Sequence, residues 1–305
     1  MKLILLLSIL FMIPLSTLAQ NWLDPQLYPF THRYLPLPDG KMHYIDEGEG
    51  DILLFIHGTP TWSFLYREII QSLSSNYRCI AIDHLGFGLS ERSAEFSGSP
   101  QAHAANLLEV IEQLQLTEIS LVVHDFGGPI GIAAALEQSD RIKQVILFNS
   151  WLWETKQNPA AKKIDKLLRS RLGRFLYLRM NVSPRILLKQ GFADKRQLTK
   201  NIHRHYLAPF PDKSSRYALL QLGQSLVGAS DWYQDLWNRL DPLVDKPWLI
   251  LWGREDSFIT EDYLKIWRQR LPHAQVQELA CGHFVQEEQT EAVIKAMVDY
   301  LERNQ

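Results

Sequence analysis

Five short apolar runs constrain this chain more than any other feature. They are Ile52–His57 (ILLFIH), Tyr77–Asp83 (YRCIAID), Ile119–His124 (ISLVVH), Lys143–Asn149 (KQVILFN) and Pro247–Trp252 (PWLILW). A run that stays apolar instead of alternating suits a strand covered on both faces, as in a parallel sheet. Between and after them lie stretches with helical spacing: Leu65–Leu73, Gln101–Leu116, Gly127–Ala135, Glu261–Arg270 and Glu287–Glu302. Gln275–Leu279 reads as one more strand. This alternation predicts an α/β fold with a mainly parallel, doubly wound sheet.

The alternation stops between Trp151 and about Leu240, where only helical patterns occur. That stretch holds 17 Lys/Arg against 6 Asp/Glu, although the whole chain carries 32 against 34. An all-helical block set into an α/β sheet predicts a cap, residues 151–240, over a core made of residues 20–150 and 241–305. Ligand sites in open α/β sheets lie at the carboxyl ends of the strands, which such a cap would cover. Its basic surplus reads as a solvated face, with steering of anionic substrates as the alternative.

The first residues follow another rule. Lys2 precedes an apolar run from Leu3 to Leu18, and Thr17 and Ala19 suit a signal peptidase cutting after Ala19. The run is short for a span of roughly 20 residues. A signal peptide over residues 1–19 is expected, and with it export to a periplasm or the medium; an uncleaved membrane anchor is the alternative. After cleavage no membrane partner is expected, and a net charge of −2 argues for no nucleic acid. Of the two cysteines, Cys79 opens a strand-like run and Cys281 lies two residues before His283. Two free thiols are expected, because a core this large needs no disulfide.

The chemistry gathers where strands end. Val-Val-His124-Asp125-Phe126-Gly127-Gly128 follows one strand and opens a helix, the setting of a sharp turn that lifts one side chain above the sheet. The apex is Asp125, and Gly-x-Ser-x-Gly occurs nowhere in the chain. A carboxylate attacking an sp³ carbon forms an alkyl ester that water can hydrolyse at the acyl carbon, whereas a serine would leave an inert ether. Asp125 therefore points to displacement of a halide or opening of an epoxide; the bland alternative is a helix N-cap. His57-Gly-Thr59-Pro-Thr-Trp62 follows another strand and would aim the Thr59 backbone N–H at the apex. With the Phe126 N–H it would form an oxyanion hole. Leu251-Trp-Gly-Arg-Glu-Asp256 offers an acid, and Cys281-Gly-His283-Phe284 a base that the acid would orient. The expected triad is Asp125 as nucleophile, His283 as general base and Asp256 as triad acid. The other nine histidines show no metal-ligand spacing and no Gly-rich phosphate cradle is present, so no metal and no cofactor are expected.

These fragments, in the order nucleophile, acid, histidine, resemble the haloalkane dehalogenase and epoxide hydrolase branch of the α/β-hydrolases. The segments from His57 to Arg67 and from Gly282 to Glu288 are more similar to the dehalogenases. The resemblance implies an α/β-hydrolase fold, a covalent alkyl-ester mechanism and a small apolar organic substrate. Some dehalogenases carry the triad acid after the strand before the cap; here that strand ends in Asn149, which favours Asp256. Two departures bear on the leaving group. Dehalogenases typically follow the nucleophile with a tryptophan whose indole N–H binds halide, and here Phe126 has no donor. Many use Asn where this chain has Thr59. A pocket drawing on Trp62, Trp151, Trp153 and Tyr177 is expected, and an indole donor for the leaving group would come from Trp151, Trp153, Trp232 or Trp237. Epoxide hydrolases use cap tyrosines as acids, for which Tyr177, Tyr206, Tyr217 and Tyr233 are available. A third possibility is a non-catalytic small-molecule binding protein on the same scaffold.

Overall fold

The computed structural model describes residues 22–93 and 95–304. The expected leader, residues 1–19, lies outside the described residues. The chain opens with β1 (Arg33–Leu37), β2 (Gly40–Glu47), β3 (Ile52–Ile56), α1 (Arg67–Leu73), β4 (Arg78–Ile82) and α2 (Pro100–Gln113). It continues through β5 (Ile119–Val123), α3 (Gly127–Glu137) and β6 (Ile142–Phe148). Only helices stand between β6 and the next strand: α4 (Pro159–Arg169), α5 (Arg171–Leu178), a π-helical turn Ser183–Leu187, α6 (Leu188–Gln190), α7 (Lys200–Leu207), α8 (Tyr217–Gly228), α9 (Ser230–Asn238) and α10 (Asp241–Val244). The chain ends with β7 (Trp248–Gly253), α11 (Glu261–Arg270), β8 (Gln275–Leu279), α12 (Val285–Glu288) and α13 (Thr290–Arg303).

The eight strands form one sheet in the order β1-β2-β4-β3-β5-β6-β7-β8, antiparallel at β1, β2 and β4 and parallel from β4 to β8. Every residue of β5 and β7 is buried, as the apolar runs predict. Helices cover both faces and enclose two apolar clusters, one around Ile56, Val123 and Leu147, the other around Phe55, Val122 and Phe148. β3 lies between β4 and β5, all three parallel, so the chain adds β4 on one side of β3 and β5 on the other, and strand order switches at β3. The loops after β3 and β5 diverge there and leave the crevice in which ligands of such sheets bind.

Two elements differ from expectation. The hairpin β1–β2 carries no continuous apolar run: RYLPL contains a proline, and GKMHYIDE mixes charge with apolar residues. An edge pair of this kind has one wet flank, and Pro36 can be tolerated there. The last helix is split at Gln289 into α12 and α13. Glu287 and Glu288 are held in α12 by bonds to Arg67 and to the Gly282 N–H.

Candidate active site

Asp125 occupies a sharp turn between β5 and α3 with φ +53°, a conformation that costs energy for a residue with a Cβ. The turn is locked from several sides. Its N–H donates to Asn149 O (3.0 Å), and its carbonyl accepts from Ser150 Oγ (2.6 Å). α3 approaches β3 so closely that a Cβ on Gly127 would lie 2.2 Å from Ile56 O. The carboxylate does not cap α3, whose N-cap position is Phe126 and has no side-chain bond. Instead Oδ1 accepts the Thr59 backbone N–H at 2.8 Å, as expected from the turn after β3. A Cβ at residue 58 would lie 2.2 Å from that oxygen, so glycine is required there. The Phe126 N–H, the second donor expected, makes no hydrogen bond to the carboxylate among the described residues.

Oδ2 of Asp125 faces His283 Nε2 at 3.6 Å, longer than a hydrogen bond but close for opposite charges. His283 Nδ1 donates to Asp256 Oδ2 at 2.7 Å. Burial of the ring opposes its charge, yet the Asp256 and Asp125 carboxylates outweigh this and push the His283 pKa up to about 10. For Asp256, burial raises the pKa, but His283 and the Phe258 and Ile259 N–H groups overcome it and hold the carboxyl below its ordinary value. The neighbouring His124 donates from Nε2 to His283 O (2.9 Å); burial and the nearby His283 lower its pKa to about 3, so it packs as a neutral ring.

Asn149 was legible in the sequence only as the absence of an acid, and its role is larger. Its Nδ2 donates to Asp256 Oδ2 (2.9 Å) and Gly253 O (3.1 Å), while Oδ1 accepts from the Gly253 N–H (2.8 Å). It thus ties the end of β6 to the loop carrying the acid and fixes which lone pairs Asp256 offers His283. Asn149→Ala would strand the Gly253 N–H in a buried site. A stability loss of about 1–3 kcal/mol is expected in chemical denaturation, with unchanged denaturant dependence.

Asp125 and His283 meet in a cavity of about 230 Å³ between the strand ends and the helices after β6, with Asp256 behind His283. Asp125, His283, Thr59, Tyr177 and Ser183 supply its polar side chains; Leu167, Leu168, Leu187, Leu188, Phe258 and Phe284 are among its apolar walls. Tyr177 lines it as expected. Burial raises the Tyr177 pKa to about 12, so the phenol stays protonated. The other expected pocket residues lie elsewhere. Trp62 is fully buried under the apolar face of the core and donates to His205 O. Trp151 packs edge-on against Phe126 and does not line the cavity; its buried indole N–H has no partner among the described residues. Trp153 packs against Trp237, Tyr263 and Trp267. Indole rings fill buried joints, and leucines are among the residues that line the cavity. Of the remaining tyrosines, Tyr206 donates to Glu287, Tyr233 donates to Ser225 O and Tyr217 is exposed; of the four candidates, Tyr177 lines the cavity. Cys79 and Cys281 are free and buried.

The family described as the alpha/beta hydrolase fold matches residues 51–290. A haloalkane dehalogenase of Mycobacterium bovis is 33% identical over 279 residues, covering 90% of this chain and 96% of that protein. The chain belongs to the α/β-hydrolases, in their haloalkane dehalogenase branch. It is an enzyme with 34% identity over 281 residues to a cis-3-alkyl-4-alkyloxetan-2-one decarboxylase of Shewanella oneidensis as well, covering 88% of this chain and 87% of that protein. Among solved structures, a mutant haloalkane dehalogenase DatA from Agrobacterium tumefaciens C58 superposes on this α/β-hydrolase with TM-score 0.82 at 25% identity, covering 92% of this chain and 99% of the other.

Proposed function

We propose that this α/β-hydrolase cleaves the bond between an sp³ carbon and its leaving group through an alkyl ester on Asp125, in the manner of a haloalkane dehalogenase. One observation carries the reading: a carboxylate at the apex of a strained turn, one oxygen engaged by the Thr59 N–H, the other facing His283 across an apolar cavity. Oδ2 attacks carbon, the carbon–halogen bond breaks, and halide leaves with the bonding pair. Water, deprotonated by His283, then adds to Cγ of the ester. Charge builds on Oδ1, where the Thr59 N–H already points. Collapse releases the alcohol and restores the carboxylate. Asp256 holds the His283 ring in register and supports its positive charge.

The leaving group needs a donor that Phe126 cannot supply. The Thr59 hydroxyl would fit this role after rotation of its side chain: Thr59 lines the cavity, and its Oγ1, enclosed in this conformer, has no hydrogen-bond partner among the described residues. A second reading is favoured by Tyr177, a protonated phenol in the same cavity. There the substrate is a strained oxygen ring. An epoxide opened by Asp125 would take its proton from Tyr177 and proceed by ester hydrolysis to a diol. An oxetan-2-one opened at its sp³ C–O bond would leave a tethered carboxylate; loss of CO₂ would then form the alkene and expel Asp125 without water.

Products separate these cases. Bromohexane, a terminal hexene oxide and a cis-dialkyl oxetan-2-one are supplied in turn, and bromide, diol and alkene are measured. Bromide release with alcohol formation is expected; diol or alkene alone would move the assignment to the second reading. Turnover of none of them by folded protein would contradict both.

A further inference from the structure

We propose that the outer face of α4 and α5 docks on an anionic lipid bilayer, from which a lipophilic substrate enters the cavity. The substrate clause rests on the function proposed above; the docking clause does not.

Residues 162–190 hold nine Lys/Arg and a single acid, Asp165, and all nine basic residues are exposed. Arg169 pairs with Asp165, and none of the other eight has an acidic partner among the described residues. α4 and α5 also expose large apolar side chains, Ile164, Leu167, Leu172 (60% exposed) and Phe175 (52%), and the chain after them exposes Met180 and Ile186. Soluble surfaces seldom gather so many, and a contiguous patch marks a contact. The patch is not a loose segment. Ser170 accepts the Gly173 N–H and donates to Leu167 O, and α5 approaches α4 so closely that a Cβ on Gly173 would lie 1.9 Å from that carbonyl. These apolar side chains are therefore held outward by a rigid corner.

The mixture of chemistries selects the occupant. Lys/Arg interleaved with Leu/Phe on short helices matches the boundary between anionic headgroups and acyl chains. Nucleic acid would engage the charge and leave the leucines wet. A second copy of this chain, meeting the same face, would set the six cations of α4 and α5 against the same six. The position adds a purpose. Ile164 and Leu167 are exposed on this face and also line the cavity, so the patch runs into the mouth of the site. A bilayer touching it would pass an alkyl chain to Asp125 without returning it to water. Whole-chain charge hides this, because the 17 to 6 surplus of residues 151–240 is offset by the acidic core.

The test is sedimentation of the full chain with vesicles of phosphatidylcholine alone or mixed with phosphatidylglycerol, at low and high ionic strength. Two variants accompany it: Lys162→Gln, Lys163→Gln, Lys166→Gln and Arg174→Gln together, and Leu172→Ser with Phe175→Ser. None of these residues lines the cavity. A basic side chain near an anionic surface contributes roughly fivefold in affinity, so the charge variant is expected to bind anionic vesicles at least about 100-fold more weakly. The apolar variant should lose at least about tenfold. Since any contribution of residues 1–21 is shared by parent and variants, their ratio reads the cap alone. Binding equal in all three, binding indifferent to phosphatidylglycerol, or no binding of the parent would overturn the proposal. So would a dimer abolished by the apolar variant without change at vesicles, which would assign the face to a second copy. Bromide release from bromohexane in free solution is followed in parallel: its absence would sink the proposed reaction and leave the vesicle result standing.

Discussion

His283→Gln is expected to leave a protein that reacts once and stops. Mixing it with a good bromoalkane should release close to one equivalent of bromide, after which steady turnover falls by at least about 10³-fold. The reason lies in the order of charges around the ring. In the free enzyme two carboxylates, Asp256 and Asp125, support the imidazolium and hold its pKa near 10. Formation of the alkyl ester makes Asp125 neutral, removes one of these supports, and lets the ring release its proton and serve as a base. Attack on carbon needs no base, so glutamine spares it; water activation does, so glutamine abolishes it. A steady rate within tenfold of the parent would remove His283 from the mechanism. The same raised pKa has a consequence for folding. An imidazole whose pKa is about 10 folded and about 6.5 unfolded adds stability that is complete below 6.5 and is lost as pH climbs towards 10. The parent should therefore lose more stability than His283→Gln between neutrality and pH 10 in denaturation midpoints.

Asp125→Asn should abolish both phases, with no bromide burst and turnover lower by at least about 10⁴-fold. The substitution is a clean one. Asn tolerates φ +53° as readily as Asp, and its side-chain carbonyl can still accept the Thr59 N–H. The folded protein should persist with a thermal midpoint close to the parent's, so that loss of activity reports on the nucleophile alone. A surviving burst in this variant would mean that another group attacks carbon.

The elements that carry chemistry were legible because each follows a strand buried on both faces, where a continuous apolar run leaves little ambiguity. The loops after β3, β5, β7 and β8 bring Thr59, Asp125, Asp256 and His283 together at the carboxyl ends of the strands, as their positions after strands suggested. The pocket walls were not legible. Leu167, Leu168, Leu187 and Leu188 have the spacing of any helix that packs on a core, and nothing local distinguishes a leucine facing an empty cavity from one facing a neighbour. The sequence offered Trp62 and Trp153 as pocket residues, yet both fill joints where large rings pack well. Asn149 was visible as a missing carboxylate, but its bridge from β6 to Gly253 and Asp256 depends on a strand neighbour about a hundred residues away. The hairpin β1–β2 escaped notice because an edge pair needs only one apolar flank.

Peptide mass spectrometry of His283→Gln after exposure to bromohexane tests the covalent mechanism most directly. The predicted result is one hexyl group per chain, on the peptide containing Asp125 and localised to its carboxylate, with bromide released in equal amount. Bromide release with an unmodified Asp125, or an adduct on any other residue, would contradict it.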